Sequence, residues 1–424
     1  MEKEFLMKPI YDFFVKSSDF NGIPIALLFE IWGCKWEQGI KNLITLVREG
    51  ICIIQSSTNP HIIRNSIPSK ENTISYLRDI MYGKEDKYLE YSECVYPSPC
   101  YLSVHRDVSS LSPYESRLAL GEPQLKPLFF KFEVLLPYKD DPRYSLELND
   151  YQGSLSYMLE KDTRIDKAGN YSLKTFGIGY DEHGIRVIVS FPRYLKDLSL
   201  SQQNQWEANE MIEHCKVLKP YWDNVMNGCW TFPQSLATGV LNERQYINSL
   251  WNAIFNDNLF RDNYTINQLS PTYSFLFIPT QKSLRQFIHQ MDKLFSDNLN
   301  TKHLRLLLEN GYNHFHPVRV KYENNIGSLN ALELWIDNIY VLKNGDKVGK
   351  EIISPLKRIR KLRQPEAHTI ISDDMYDTSI YQQQNDLLLE VYNALKTLRI
   401  ILSTHPSAST VIPPENYSEE VFSF

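Results

Sequence analysis

Apolar positions recur at helical spacing through most of the C-terminal third of the chain. Leu284, Phe287, Ile288, Met291, Leu294 and Phe295 form one stripe behind Thr280, a residue type suited to capping a helix N-terminus. Leu329, Leu332, Ile336, Ile339 and Leu342 form a second, and Ile352, Leu356 and Ile359 a third. Leu388, Val391, Leu395, Leu398 and Leu402 form a fourth. These stripes and their connections predict an antiparallel helical bundle over residues 271–424. Upstream the period shortens. Phe129 to Leu136 is a β-rich apolar run closed by Pro137, and Tyr144 to Leu148 alternates as a half-buried strand does. Lys174 to Tyr180 and Ile185 to Phe191 flank Asp181-Glu182-His183-Gly184, a hairpin turn. Residues 200–260 return to helical composition, with Trp206, Trp222, Trp230 and Trp251 as core anchors. Residues 67–270 thus predict a central mixed α/β region with antiparallel strands.

The first 66 residues have their own pattern. Ile10, Phe13, Phe14 and Val15 share an amphipathic helix, Asn21-Gly22-Ile23-Pro24 is a turn, and Pro24 suits the opening of a second helix. Ile40, Leu43, Ile44 and Val47 mark a third helix that Gly50 stops. Ile51 to Ile54 is a short strand, followed by a turn-rich tip from Gln55 to Pro60. This order resembles a winged helix, a family whose third helix and tip contact DNA or protein. Here the third helix carries Lys35, Lys41 and Arg48 but also Glu37 and Glu49, which favours a protein contact or spacer over DNA reading. The whole chain reads as an α+β multidomain protein with parts at 1–66, 67–270 and 271–424.

Composition narrows the function. A chain of 424 residues exceeds one ordinary core, which agrees with two or three domains. Net charge is -6, which excludes a globally basic nucleic-acid binder and leaves room only for a local patch. The six cysteines form no CxxC pair, and Cys94 and Cys100 stand too far apart for a zinc knuckle; free thiols in a reducing cytosol are expected. Met1-Glu2-Lys3-Glu4-Phe5 opens no signal-peptide hydrophobic region, and no apolar run approaches a membrane span. A cytoplasmic location without a membrane partner is expected. His314-Phe315-His316 has no carboxylate or cysteine nearby to complete a zinc site, and Asp140-Asp141 and Asp373-Asp374 read as solvated loops. Gly177-Ile178-Gly179 lacks the third glycine and following helix of a dinucleotide fingerprint. No metal and no cofactor is expected.

Chemistry concentrates near residue 363. A basic helical run, Lys357-Arg358-Ile359-Arg360-Lys361-Leu362-Arg363, leads into Gln364-Pro365-Glu366-Ala367-His368. Along an unbroken helix, five residues turn about 500°, which would leave Arg363 and His368 roughly 140° apart. Pro365 disfavours helical geometry at Gln364 and suits the first turn of a new helix, so a bend there can bring the two side chains together. Spacing alone is unspecific, since Arg399 and His405 also match it. That pair is set aside because Arg399 lies deep in an amphipathic helix and His405 precedes Pro406.

Arg-x4-His after a basic helix, with a long amphipathic helix behind it, resembles the signature of the HEPN superfamily of helical ribonucleases. The resemblance spans the last 125–140 residues or so. One departure is Gln364, where many members have Asn, Asp or His. The resemblance implies that Arg363 and His368 are catalytic, that the protein is a homodimer joining two such pairs in one cleft, and that it serves as a toxin or anti-phage effector. In the expected chemistry a ribose 2′-oxygen attacks the adjacent phosphorus without a metal. His368 moves the proton and Arg363 holds the phosphate. Lys357, Arg358, Arg360, Lys361 and Gln364 would bind the RNA backbone. His368→Ala and Arg363→Ala are expected to fold and dimerise normally. The alternative is a non-catalytic regulator that binds nucleic acid or protein through its winged helix and dimerises through its bundle.

Overall fold

The computed structural model describes residues 2–17, 19–56, 67–82, 93–158, 172–211, 214–229, 234–310, 326–340, 345–363, 375–415 and 417–422. The fold is mixed α/β, with many helices and antiparallel sheets. The chain divides into two compact units, Met1–Leu146 with Gly153–Trp222, and Glu147–Gln152 with Asp223–Phe424.

The first unit opens with α1 (Glu2–Lys16), β1 (Ile23–Pro24), α2 (Ile25–Trp32), α3 (Trp36–Glu49), β2 (Cys52–Ser56), α4 (Lys70–Met81) and β3 (Glu93–Pro97). Gly50 ends α3 in the left-handed region at φ 73°, which its missing Cβ permits. The three strands form one antiparallel sheet in the order β1-β3-β2, with Ile54 opposite Val95 and Val95 opposite Ile23. Alternation sorts its side chains. Ile23, Cys52, Ile54 and Val95 join the core made with α1 to α4, whereas Cys94 and Tyr96 join a second cluster with Phe14, Phe20, Leu102 and Leu118. The sheet is therefore buried on both sides. The second cluster draws on α5 (Pro99–His105) and α6 (Pro113–Ala119).

A larger sheet follows, built from β4 (Leu128–Lys131), β5 (Tyr144–Asn149), β6 (Gln152–Tyr157), β7 (Leu173–Tyr180), β8 (Arg186–Ser190), β9 (Glu210–Met211) and β10 (Lys216–Val217). Its order is β5-β6-β7-β8-β4-β9, with β10 on β7. The predicted hairpin stands: the Asp181 carboxylate accepts from the amides of His183 and Ile185 at 2.9 and 2.7 Å, and Gly184 takes φ 77°. The run from Phe129 to Leu136 departs from expectation. Only Leu128–Lys131 is strand; Phe132–Leu135 is a 3-10 turn running into α7 (Leu136–Lys139). Lys131 and Glu133 give the run a strand-like alternation, but the window is short and Pro137 suits a first helical turn, so packing decides its backbone. The remaining helices are α8 (Pro192–Leu195), α9 (Leu200–Ala208) and α10 (Lys219–Trp222). Gly177 is glycine because the buried ring of Tyr221 lies over it; a Cβ there would stand 2.0 Å from a ring carbon.

The second unit is helical. It comprises α11 (Leu236–Phe255), α12 (Gln281–Asp292), α13 (Thr301–Asn310), α14 (Ser328–Ile339), α15 (Gly349–Arg363) and α16 (Ser379–Ser403), with β11 (Gln234–Ser235) pairing parallel to β12 (Val421–Phe422). The four predicted stripes fall on α12, α14, α15 and α16, although Leu342 lies outside the described residues. Thr280 caps α12, accepting from the Ser283 amide. Leu294 and Phe295 continue α12 through a π turn over Lys293–Asp297. The same core also draws on α11 and α13. Trp251 is its anchor, with ring centroids of Trp335 and Phe255 at 4.4 and 4.6 Å. Trp206 is likewise fully buried in the first unit, while Trp230 lies outside the described residues.

One buried carboxyl makes the first unit sensitive to pH. Glu93 on β3 is 2% exposed, and its Oε1 has no hydrogen-bond partner among the described residues. Burial pushes its pKa up from 4.5 to about 7. The folded-state value lies above the unfolded one, so the protonated carboxyl favours folding. That stability is complete below pH 4.5 and is lost as pH rises through about 7. The loss amounts to on the order of 3 kcal/mol. Urea melts at pH 5 and pH 8 should show wild type weakening with pH and Glu93→Gln much less so. Equal pH slopes for the two proteins would exclude a role for Glu93.

Candidate nucleic-acid interface

Helix α15 carries most of the residues singled out from the sequence. Ile352, Ile353, Leu356 and Ile359 face the core, which fixes where the basic side chains between them emerge. Successive residues turn by about 100°, so the basic run does not present one face. Lys357 pairs with Glu333 of α14, and Arg358 pairs with Glu390 of α16. Arg360 has no ion-pair partner among the described residues and lines a cavity bordered by α13. Lys361 is exposed, also without an ion-pair partner among the described residues. Of the four cations read together as an RNA-binding run, two are thus engaged by glutamates of neighbouring helices, and two have no ion-pair partner among the described residues.

Arg363 stands in the last described turn of α15. Its Nη1 donates to Asp292 at the end of α12 and, at 3.2 Å, to Asp297. The Asp292 side chain is 0% exposed and that of Arg363 is 37% exposed. The hydrogen bond to Asp292 raises the Arg363 pKa above its ordinary value, with smaller help from Asp297. Two carboxylates offset the charge of this guanidinium. Only Nη1 is engaged, however; Nε and Nη2 have no partner among the described residues. Gln364 and His368 lie outside the described residues, as do His314, His316, Asp373 and Asp374.

One described imidazole stands near this arginine. His289 is exposed on α12, one turn before Asp292, so the two share a helix face. Its pKa is lowered first by partial burial, then by the charges of Lys293 and Arg363, which leaves it neutral at pH 7. Sequence reading passed over it because nothing in the α12 pattern shows that the end of α15 arrives beside it. The competing match is structural in character. Arg399 is buried, with Nε 2.8 Å from Glu243 and Nη2 3.3 Å from Glu419, while His405 accepts from the Ser407 amide at 3.1 Å. Among the described residues, no group of three or more His, Cys, Asp or Glu is placed to hold a metal. No disulfide joins any of the six cysteines, all of which lie among the described residues, and Asp141 binds Arg143 at 2.6 Å. No described helix is long and apolar enough to cross a membrane.

Set against protein-family models, curated proteins and solved structures, the chain matches none.

The Asp292–Arg363 pair changes one expectation about variants. Arg363→Ala leaves a carboxylate with no exposed surface and no cation, so it should destabilise the chain rather than fold normally. The cost is about 2–3 kcal/mol, below the roughly 3–5 kcal/mol of a fully buried pair because the guanidinium is partly solvated. Asp292→Asn introduced alongside should recover much of it. Urea denaturation of the single and double variants checks this; an unchanged midpoint for Arg363→Ala would show that the pair contributes nothing to folding.

Proposed function

We propose that this chain is a metal-independent endoribonuclease of the HEPN type, acting in the cytoplasm as a homodimer, with Arg363 and His368 as its catalytic pair. The observation that carries the reading is the setting of Arg363. Its guanidinium is oriented through Nη1 alone, keeps two further donors for a phosphate, and has the neutral imidazole of His289 one helical turn from its anchor. A fork-shaped cation and a base that titrates near neutrality are the parts transesterification requires. Arg363 would take a non-bridging phosphate oxygen on Nε or Nη2 and stabilise the charge that develops there. One imidazole would remove the 2′-hydroxyl proton and another would protonate the departing 5′-oxygen, so two histidines ease the difficulty of a single group doing both. His289 and His368 are the candidates within one chain, and two copies of His368 are the candidates in a dimer. Arg360 and Lys361 would draw in the RNA backbone, with affinity falling as salt rises. A toxin or anti-phage role rests on the HEPN resemblance alone.

A second reading is supported by the first unit. The succession α1, β1, α2, α3, β2, α4, β3 with sheet order β1-β3-β2 resembles a winged helix with an extra helix between its last two strands, and α3 turns Gln38, Lys41, Thr45 and Arg48 outward. Glu37 is paired with Lys41 at 2.6 Å, so this surface carries little net charge. A regulator that binds DNA or protein through α3, without catalysis, is the alternative.

The two readings separate on one assay. Wild type should cut single-stranded RNA in EDTA, leaving 2′,3′-cyclic phosphate and 5′-hydroxyl ends, while the equivalent DNA survives. His368→Ala should lose at least about 100-fold in rate at an unchanged melting temperature, and His289→Ala should shift the pH–rate profile. RNA that stays intact with wild type, together with duplex DNA binding that Arg48→Ala weakens, would establish the regulator instead.

A further inference from the structure

We infer that the second unit holds a nucleotide-phosphate binding cavity that no motif in the sequence announces. It lies between the N-terminal turn of α13 and the outer side of α15, and its volume is about 520 Å³. That is ample for a nucleotide-sized ligand. Arg261, Lys302, Arg305 and Arg360 line it, against a single carboxylate, Asp297, which already binds Arg363.

The way these cations are held bears on what the cavity can bind. The chain carries a net charge of -6, and several of its arginines, among them Arg117, Arg143, Arg358, Arg363 and Arg399, bind carboxylates. Arg261, Arg305 and Arg360 have no carboxylate partner among the described residues. Two of them are instead fixed by neutral backbone oxygens. Arg261 donates from Nη2 to the Asp297 carbonyl, and Arg305 donates from Nη2 to the Ile326 carbonyl at 2.9 Å. A carbonyl orients a guanidinium without cancelling its charge, so the cavity presents two positioned guanidiniums and two further cations against the one carboxylate of Asp297. Arg305 also keeps its Nε buried without a partner, and so does the Ser296 hydroxyl, which is 3% exposed on the same wall. Orphaned buried donors raise the free energy of the empty site, and an anion that satisfies them recovers that cost. The helix terminus adds positive potential from α13.

Two fixed guanidiniums with two further cations around a concave site suit a phosphate, whose tetrahedral oxygens take the guanidinium fork from more than one side. The shared chemistry is a nucleotide phosphate, presented either by a free nucleotide or by a strand. The site goes beyond the cleavage reading and stands without it, since its residues bind phosphate whether or not Arg363 and His368 react.

The test measures binding in the full chain with probes that cannot be cut. ATP is titrated by calorimetry, and a 12-nucleotide 2′-O-methyl RNA by fluorescence anisotropy, at several salt concentrations. Binding of one or both is expected, the stronger probe identifying free nucleotide or strand as the source. Arg360→Gln and Lys302→Gln, both changes of partly or fully exposed side chains, should each weaken it at least fivefold at unchanged melting temperature. For the RNA probe, each should lower the salt slope by about 1. Arg305→Ala should weaken it further, and Arg305→Lys should recover part. Absence of binding by both probes at millimolar concentration overturns the inference. So does binding that both glutamine variants leave intact. Cleavage lost in His368→Ala with binding retained would separate this site from the catalytic reading.

Discussion

The second unit turns on one ion pair, Asp292 with Arg363. Asp292 ends α12 and Arg363 stands in the last described turn of α15, so the pair ties those two helix ends together across 71 residues of sequence. Its carboxylate has no exposed surface, and a buried charge is tolerated only where a partner stands against it. The position of Arg363 is thereby set by folding before any ligand arrives. The same constraint brings His289 beside the arginine and places Asp297 between Arg363 and the cavity that Arg360 lines. Candidate chemistry and candidate binding are built on one helix end.

Charge is used unevenly across this unit. The deepest ionic group, Glu243 with Arg399, also takes the Tyr417 hydroxyl at 2.8 Å, so the segment after α16 is fastened to α11 by a buried charge. Lys357 and Arg358 brace α15 against α14 and α16. These contacts hold helices in place and have little capacity left for a ligand. Arg261 and Arg305 are of the opposite kind, cations that backbone carbonyls orient without discharging, and Lys302 and Arg360 line the same cavity with no carboxylate partner among the described residues. In an acidic protein, such a local excess is what can attract a polyanion that the net charge repels.

The first unit makes a different use of burial. Its small sheet is covered on both faces, so β3 buries side chains on either side, including Glu93 without a hydrogen-bond partner among the described residues. The outward face of α3 stays polar and nearly neutral, with Glu37 on Lys41 and a 2.9 Å bond from Gln38 to Asn42. A partner recognised there would be read by shape and hydrogen bonds more than by long-range charge.

Much of the helical architecture was legible in the chain. The stripes on α12, α14, α15 and α16, the Thr280 cap, the Gly50 stop and the Asp181–Gly184 turn are local consequences of period, capping and turn chemistry, and need no distant partner. Phe132 to Leu135 was illegible because Lys131 and Glu133 give the run a strand-like alternation, whereas the backbone it takes depends on what it packs against. The candidate site divided in the same way. Arg363 stood out by its neighbours in sequence, but only the fold decided that Lys357 and Arg358 would brace helices while Arg360 would face a cavity with Arg261 and Arg305. A side chain's type and its angle around a helix are written locally; whether its charge is cancelled or kept is decided by residues tens of positions away, and only packing brings those together.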